Sequence, residues 1–237
     1  MDYVLESDNL EKKYKKVKAL NSLNMHVEKG SIYGLIGKNG AGKTTLLRII
    51  CGLQEPTNGK YSIFGISNGN KKIIRARMKI GAIIEIPSIN LDMSAKDNLV
   101  EQHKIIGLPI DKNNIREILT MVGLSDLENK KAKDFSLGMK QRLGIAIALV
   151  GNPEFIILDE PLNGLDPEGI ITLRRLILKL NNEKGITFLI SSHYLNELSK
   201  IATQYGFIDK GAIIKEIYSK ELGKKTLEEY YTYLIGK

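Results

Sequence analysis

The sequence contains no tryptophan and only one cysteine, Cys51. A lone cysteine excludes an intramolecular disulfide scaffold. Long apolar runs are also missing. Stretches such as Leu143–Val150 and Phe155–Leu158 are far shorter than the roughly 20 residues that cross a bilayer as a helix. Residues 1–3 are acidic in character and no basic segment leads into an apolar one, so no secretory signal is predicted. These absences predict a soluble cytoplasmic protein.

The composition is that of a folded chain with excess positive charge. Hydrophobic residues make up 43% and charged residues 26% of the 237 residues, which excludes disorder as the main state. At roughly 150 residues per domain, this length predicts one or two domains. The net charge of +8 favours an acidic partner such as nucleotide phosphate, nucleic acid or an anionic membrane surface. The basic clusters at 12–18 and 71–79 are interpreted as solvated surface, so nucleic acid is not expected as a partner.

Short apolar runs alternate with helical periodicity in most of the chain. Ile32–Ile36, Phe155–Leu158 and Ile186–Ser191 have the length and near-continuous apolar character of buried strands. From about residue 87 to 150 the pattern is helical, with Ser136 predicted to cap one helix. Alternating strands and helices predict a largely parallel sheet covered on both faces. The sequence therefore predicts an α/β fold with an inserted all-helical segment.

The remaining patterns predict strands near the amino end, a hairpin and a terminal helix. The strands lie at residues 4–9 and 23–27, and the hairpin consists of 206–209 and 212–216. Residues 226–237 predict a short helix whose tyrosines pack against the core.

A glycine-rich loop follows the predicted strand Ile32–Ile36. Residues 37–44 read G-K-N-G-A-G-K-T and fit the pattern G-x-x-x-x-G-K-[S/T] between a predicted strand and a predicted helix. The glycines allow turns that converge backbone N–H groups on phosphate oxygens at the positive end of a helix. We expect Lys43 to reach the β- and γ-phosphates and the Thr44 hydroxyl to bind Mg²⁺. The predicted nucleotide-binding residues of this loop are Gly37, Lys38, Asn39, Gly40, Ala41, Gly42, Lys43, Thr44 and Thr45.

Two carboxylates end a second apolar run. Asp159 and Glu160 directly follow Phe155–Leu158. Ligands of open parallel sheets bind beyond the carboxyl ends of the strands, so Asp159 is predicted to lie near the phosphate loop and to hold Mg²⁺. Glu160 is predicted to polarise an attacking water. The alternative is an acidic turn after an ordinary strand. The phosphate-binding loop predicted at residues 37–44 makes this alternative the less favoured one.

These motifs, in their order along the chain, resemble those of the ATP-binding subunits of ABC transporters. Residues 134–142, D-F-S-L-G-M-K-Q-R, are similar to the signature segment of that family, of which Ser136 and Gly138 keep the serine and the second glycine. The resemblance implies that both bind nucleotide. An N-capping serine before an amphipathic helix is the alternative interpretation for Ser136.

Further matches to this family follow in order. Asp166 ends an N-G-L-D segment that resembles the family's D-loop, and His193 matches the switch histidine that contacts the γ-phosphate. Tyr14 matches the aromatic residue that stacks on adenine, with a partly buried tyrosine at a strand edge as the alternative. The resemblance covers about residues 3–220.

One position departs from the family pattern. Glu85 stands where the family has a glutamine that senses Mg²⁺ and the attacking water. An ionised carboxylate only accepts hydrogen bonds and adds a charge, so Glu85 joins Thr44 and Asp159 as a candidate metal ligand. This glutamate, together with S-L-G-M-K-Q-R, resembles the subgroup that exports bacitracin and lantibiotic peptides. A tolerated variant in another exporter is the alternative.

The resemblance implies an ATPase with Glu160, His193 and Lys43 in catalysis and with ATP and Mg²⁺ as cofactors. It implies that two copies face head to tail and that a separate multi-span permease binds them at the inner face of the cell membrane. Hydrolysis would power export of peptide antibiotics and give immunity to them. The alternatives are another exporter, an importer, a soluble ABC ATPase acting on nucleic acid or ribosomes, and a phosphotransferase kinase.

The implied layout is one nucleotide-binding domain over residues 1–237. Its α/β part is a P-loop NTPase core with a mostly parallel sheet and an N-terminal antiparallel β part, formed by 1–86 and 151–220. The inserted all-helical subdomain is 87–150, and 221–237 form a C-terminal helix.

Overall fold

The computed structural model describes residues 2–236, which form two β-sheets and eight α-helices. The strands are β1 (Tyr3–Tyr14), β2 (Val17–Glu28), β3 (Ile32–Ile36), β4 (Asn58–Ile63), β5 (Ile66–Ser67), β6 (Ile80–Ile83), β7 (Phe155–Asp159), β8 (Thr187–Ser192), β9 (Gln204–Asp209) and β10 (Ala212–Tyr218). The helices are α1 (Lys43–Ile50), α2 (Ile73–Arg77), α3 (Ala95–Ile105), α4 (Lys112–Met121), α5 (Leu137–Leu149), α6 (Pro167–Lys184), α7 (Leu195–Leu198) and α8 (Leu227–Ile235). Residues 1 and 237, which end the predicted domain and terminal helix, lie outside the described residues.

The larger sheet has the strand order β10-β9-β3-β8-β7-β6. Its five strands from β9 to β6 are parallel, and β10 pairs antiparallel at one edge. Along β7, Phe155 and Ile157 face one buried apolar cluster, whereas Ile156 and Leu158 face the other. Burial on both faces explains why these strands are continuous apolar runs in the sequence. The predicted α/β class and parallel sheet are confirmed.

The smaller, antiparallel sheet has the order β2-β1-β4-β5. β1 and β2 each span 12 residues, whereas the sequence pattern predicts only short strands at 4–9 and 23–27. The β1–β2 register shifts at several points, including between Ser7 and Leu10. Each shift interrupts the two-residue alternation of buried and exposed side chains, so the outer halves of both strands lack a recognisable pattern.

The helices α3, α4 and α5 lie between β6 and β7, as the sequence predicts for this region, and the connection contains one isolated β-bridge, between Ser94 and Lys131. Ser94 caps α3 and Ser136 caps α5, each accepting a hydrogen bond from a backbone N–H three residues on. α5 packs directly on the edge strand β6. The contact is so close that a Cβ on Gly81 would lie 2.3 Å from the Ala148 carbonyl oxygen. Within residues 2–236, no helix has both the length and the apolar character needed to cross a bilayer.

The C-terminal helix α8 begins with a complete capping box formed by Thr226 and Glu229. The rings of Tyr230 and Tyr231 lie 5.5 and 6.1 Å from that of Phe207, a fully buried residue of β9. The prediction that the tyrosines of this helix pack against the core is confirmed for Tyr230 and Tyr231, whereas Tyr233 is half-exposed.

The single cysteine is expected to react slowly with alkylating agents. Burial raises the pKa of the Cys51 thiol to about 12, and the nucleophile is the thiolate. A raised pKa keeps the thiol protonated across the neutral range, so at pH 8 the thiolate fraction falls roughly 10³-fold below that of a free cysteine. Iodoacetamide labelling followed by mass spectrometry, with the guanidinium-unfolded chain as control, measures this ratio. Equal labelling rates in the folded and unfolded chains would contradict it.

Candidate functional site

The glycine-rich loop runs from the end of β3 into the start of α1. Gly42 precedes the helix with a φ of 110°, and a Cβ there would lie 2.6 Å from the Ala19 carbonyl oxygen. Both features require glycine, because a side chain would be strained and would clash. The loop lines a cleft of about 310 Å³ that also includes Ala19 and Glu160. The N-terminus of α1 faces this cleft with backbone N–H groups, which makes it a site for anions.

Lys43 is the buried cation of this cleft, with 6% of its surface exposed. Its Nζ donates to the Gly37 carbonyl oxygen at 2.7 Å and lies 3.2 Å from Glu160 Oε1. The loop carbonyls and the carboxylate therefore hold the ammonium group at the mouth of the phosphate loop.

A hydroxyl and a carboxylate meet beside the loop. Thr44 Oγ1 donates to Asp159 Oδ2 at 2.8 Å, and Asp159 is 3% exposed. The other carboxylate oxygen, Asp159 Oδ1, accepts a 2.5 Å hydrogen bond from the hydroxyl of Ser191 at the end of β8. Among residues 2–236 there is no group of three or more His, Cys, Asp or Glu side chains that could enclose a metal. A hydroxyl and one carboxylate instead suit Mg²⁺, which keeps several waters and takes further oxygens from phosphate.

Glu160 follows Asp159 with its backbone in the left-handed region, at a φ of 48°. Its Oε1 faces Lys43, and its Oε2 lies 2.8 Å from His193 Nδ1. The backbone N–H of His193 also points to Oε2, at 3.3 Å. The carboxylate thus bridges the phosphate-loop lysine and the histidine after β8, at the carboxyl edge of the parallel sheet.

Three further predicted residues meet in a second cleft of about 230 Å³. Ser136, Gly138 and Asp166 all line it. The Asp166 carboxylate accepts from the Gly169 N–H at 2.9 Å and begins α6, so two helix N-termini, those of α5 and α6, face this cleft. The residues that line this cleft and those that line the phosphate-loop cleft do not overlap.

Two predicted residues lie apart from both clefts. The Tyr14 hydroxyl donates to Gln54, and Lys12 Nζ lies 5.3 Å from the Tyr14 ring centre. Glu85 accepts from Arg48 at 2.8 Å on an exposed surface, so its carboxylate pairs with a guanidinium group, whereas Thr44 and Asp159 bond to each other.

Sequence reasoning missed two residues of the phosphate-loop site. The Ser191 hydroxyl is hydrogen-bonded to the Asp159 carboxylate and to the Glu160 N–H, and Ala19 of β2 lines the cleft. A polar residue closing a buried apolar run, two positions before His193, is a signal that could have found Ser191. No local signal marks Ala19, which reaches the site only through the packing of β2 on the loop.

A family model described as ABC transporter matches residues 20–163. The chain is 45% identical to the bacitracin transport ATP-binding protein BcrA of Bacillus licheniformis, over 96% of this chain and 75% of that protein. It is 44% identical to the lantibiotic transport ATP-binding protein SrtF of Streptococcus pyogenes, over 96% of each. The fold matches the ATP-binding cassette MJ0796, solved as a post-hydrolysis dimer bound to ADP and phosphate. That match has a TM-score of 0.80 and 26% identity and covers 91% of this chain and 98% of that one. The chain belongs to the ABC transporter family, as an ATP-binding and ATP-hydrolysing subunit.

Proposed function

We propose that this chain hydrolyses ATP at the phosphate-loop cleft to power export of peptide antibiotics through a separate membrane permease. The observation that carries the proposal is the convergence of Lys43, Thr44, Asp159, Glu160 and His193 at one edge of the parallel sheet. The choice of cargo is supported by relatives that are named for bacitracin and lantibiotic transport.

In this proposal the loop residues 37–45 hold the phosphates of ATP, and Lys43 neutralises their developing charge. Thr44 and Asp159 would hold Mg²⁺, which would supply further charge stabilisation. Glu160 accepts a proton from the attacking water, and His193 orients that carboxylate. The pairing of Glu160 with both Lys43 and His193 supports these roles, because in a single side-chain conformation one carboxylate oxygen contacts Lys43 and the other contacts His193. For Tyr14 we propose contact with adenine, and for Glu85 a position near the metal-binding groups, each after movement away from its present hydrogen-bond partner.

We propose that two copies assemble head to tail, so that the second cleft of one copy covers the phosphate-loop cleft of the other. Support comes from the separation of the two clefts and from the dimeric MJ0796 cassette. The second cleft presents Ser136, Gly138 and the helix N-terminus of α5, which suits contact with a γ-phosphate. Light scattering with and without ATP tests the assembly. A chain that stays monomeric in the presence of ATP would contradict it.

For the permease we propose a docking face beside the helical insertion 87–150. Apolar side chains are exposed there: Met78 and Leu108 line a cleft of about 370 Å³ that residues of β6, α3 and α5 also line, and Ile86 is 80% exposed. Exposed apolar side chains around a cleft mark interaction surfaces. Docking on this face would hold the chain at the inner surface of the cell membrane, with residues 87–150 acting as a subdomain that transmits the nucleotide state.

The partner and the cargo are tested together in the native cell. The Glu160→Gln variant is used as bait with ATP in detergent-solubilised membranes, and mass spectrometry identifies what co-purifies. We expect a multi-span permease. In parallel, a deletion strain should become several-fold more sensitive to bacitracin or a lantibiotic, and only the wild-type gene should restore resistance. Recovery of ribosomes or nucleic acid would overturn the transport reading, whereas a permease with unchanged sensitivity would overturn only the cargo.

A further inference from the structure

Ser191, the penultimate residue of β8, pairs in register with Asp159, the last residue of the neighbouring strand β7. Its side chain is fully buried, with 0% of its surface exposed. A hydroxyl carries one donor and two acceptor positions, so a single serine can serve two partners at once. Ser191 does so, because its Oγ donates to Asp159 Oδ1 at 2.5 Å and accepts from the Glu160 N–H at 2.9 Å.

The bond to Asp159 fixes how that carboxylate is turned. With Oδ1 held by Ser191, Oδ2 is the oxygen that faces Thr44, at 2.8 Å from its hydroxyl. Without the serine, Oδ1 would be a buried acceptor lacking this partner, and among these two hydroxyls only that of Thr44 would orient the carboxylate. The Ser191 hydroxyl therefore helps to fix the plane of the carboxylate, with one oxygen directed toward the Thr44 side of the phosphate loop.

The bond to Glu160 acts on the backbone. Glu160 has a φ of 48°, a conformation that costs energy for a residue with a side chain. Its N–H is held by both the hydroxyl and the carbonyl oxygen of Ser191, at 2.9 and 3.2 Å. These two contacts stabilise the left-handed turn that directs the Glu160 side chain to Lys43 and His193.

We propose that Ser191 is a positioning residue for the ATPase reaction, which holds the metal-facing oxygen of Asp159 and the backbone of Glu160 in one arrangement. The inference rests on the proposed function of the phosphate-loop cleft. It assigns to β8 a positioning role that Ser191 exerts through Asp159, the last residue of β7, and through Glu160, which follows it.

The test compares Ser191→Ala with Ser191→Thr, which keeps the hydroxyl. The matched control is Thr187→Val, which removes a fully buried hydroxyl at the other end of the same strand, where it accepts from the Gly30 N–H at 2.8 Å. For each variant we measure ATP turnover against Mg²⁺ concentration, binding of a fluorescent ATP analogue in EDTA, and Mn²⁺ binding to the ATP complex by electron paramagnetic resonance.

We expect Ser191→Ala to need about tenfold more Mg²⁺ for half-maximal turnover and to bind Mn²⁺ about tenfold more weakly, the usual effect of losing a hydrogen bond behind a metal ligand. Nucleotide binding in EDTA should be unchanged, and Ser191→Thr should recover most of the metal affinity. Wild-type metal dependence in Ser191→Ala, or a loss matched by Thr187→Val, would overturn the proposal. A wild-type chain without ATPase activity would instead overturn the proposed function, so the two failures are distinguishable.

Discussion

Replacing Glu160 with glutamine is expected to lower steady-state ATP turnover by roughly 10²- to 10⁴-fold, the contribution of a positioned general base. Glutamine keeps the size of the side chain but has no carboxylate to accept the water proton. It also loses the ionic contact to Lys43 and the carboxylate contact to His193, which lie 3.2 and 2.8 Å from the carboxylate oxygens. ATP binding should persist, because the phosphate loop is unchanged. The variant should therefore accumulate as an ATP-bound dimer, which light scattering detects.

Glu154→Gln is the matched control for this prediction. Glu154 lies next to the opposite end of β7 and pairs with Lys79 on an exposed surface, so the same chemical change there should leave turnover within about twofold. Wild-type turnover in Glu160→Gln would remove Glu160 as the base and would point to another group in the cleft.

Replacing Lys43 with alanine is expected to weaken ATP binding by roughly 10- to 100-fold. Hydrogen bonds to charged groups contribute about 1.5–3 kcal/mol, and each 1.4 kcal/mol is a factor of ten in affinity. Lys43 is the buried cation of the cleft, and its Nζ is held at the loop mouth by the Gly37 carbonyl oxygen. The substitution removes the charge while the glycines that shape the loop remain. Titration with a fluorescent ATP analogue measures the effect.

Lys60→Ala is the control for loss of one positive charge, because Lys60 is an exposed residue of β4. Thermal unfolding without nucleotide checks that Lys43→Ala still folds, since Glu160 loses its cationic partner in this variant. If a folded Lys43→Ala variant bound ATP as tightly as the wild type, the phosphate loop would not be the nucleotide site.

The phosphate loop and the strand that ends at Asp159 and Glu160 were predictable because their chemistry is local. Eight consecutive residues, 37–44, carry both the backbone freedom and the cation of the loop. A parallel strand that is buried on both faces is typically a continuous apolar run, so Phe155–Leu158 marks both the strand and the edge at which its carboxylates emerge. Capping serines such as Ser136 likewise act within three residues of the helix they begin.

The full length of β1 and β2 was not predictable, because their register shifts follow from pairing between strands and erase the alternation that marks a strand. The side-chain partners of Glu85 and Tyr14 were also beyond the sequence. Arg48 and Gln54 reach them from α1 and from the segment after it, at separations of 37 and 40 residues. The partner of an exposed side chain depends on which residues the fold brings beside it, and the sequence pattern does not reveal this.

By itself the sequence determined the α/β class, the helical insertion and the choice of groups that we propose contact phosphate, since each depends on periodicity or on adjacent residues. Only the tertiary structure decided how those groups are held. The pairing of β7 with β8 brings Ser191 onto Asp159 and Glu160, and the same edge places His193 against the Glu160 carboxylate. Hydrogen bonds between strands that are distant in sequence form only once the sheet has folded. The orientation of the carboxylates is therefore a property of the fold and not of the motif.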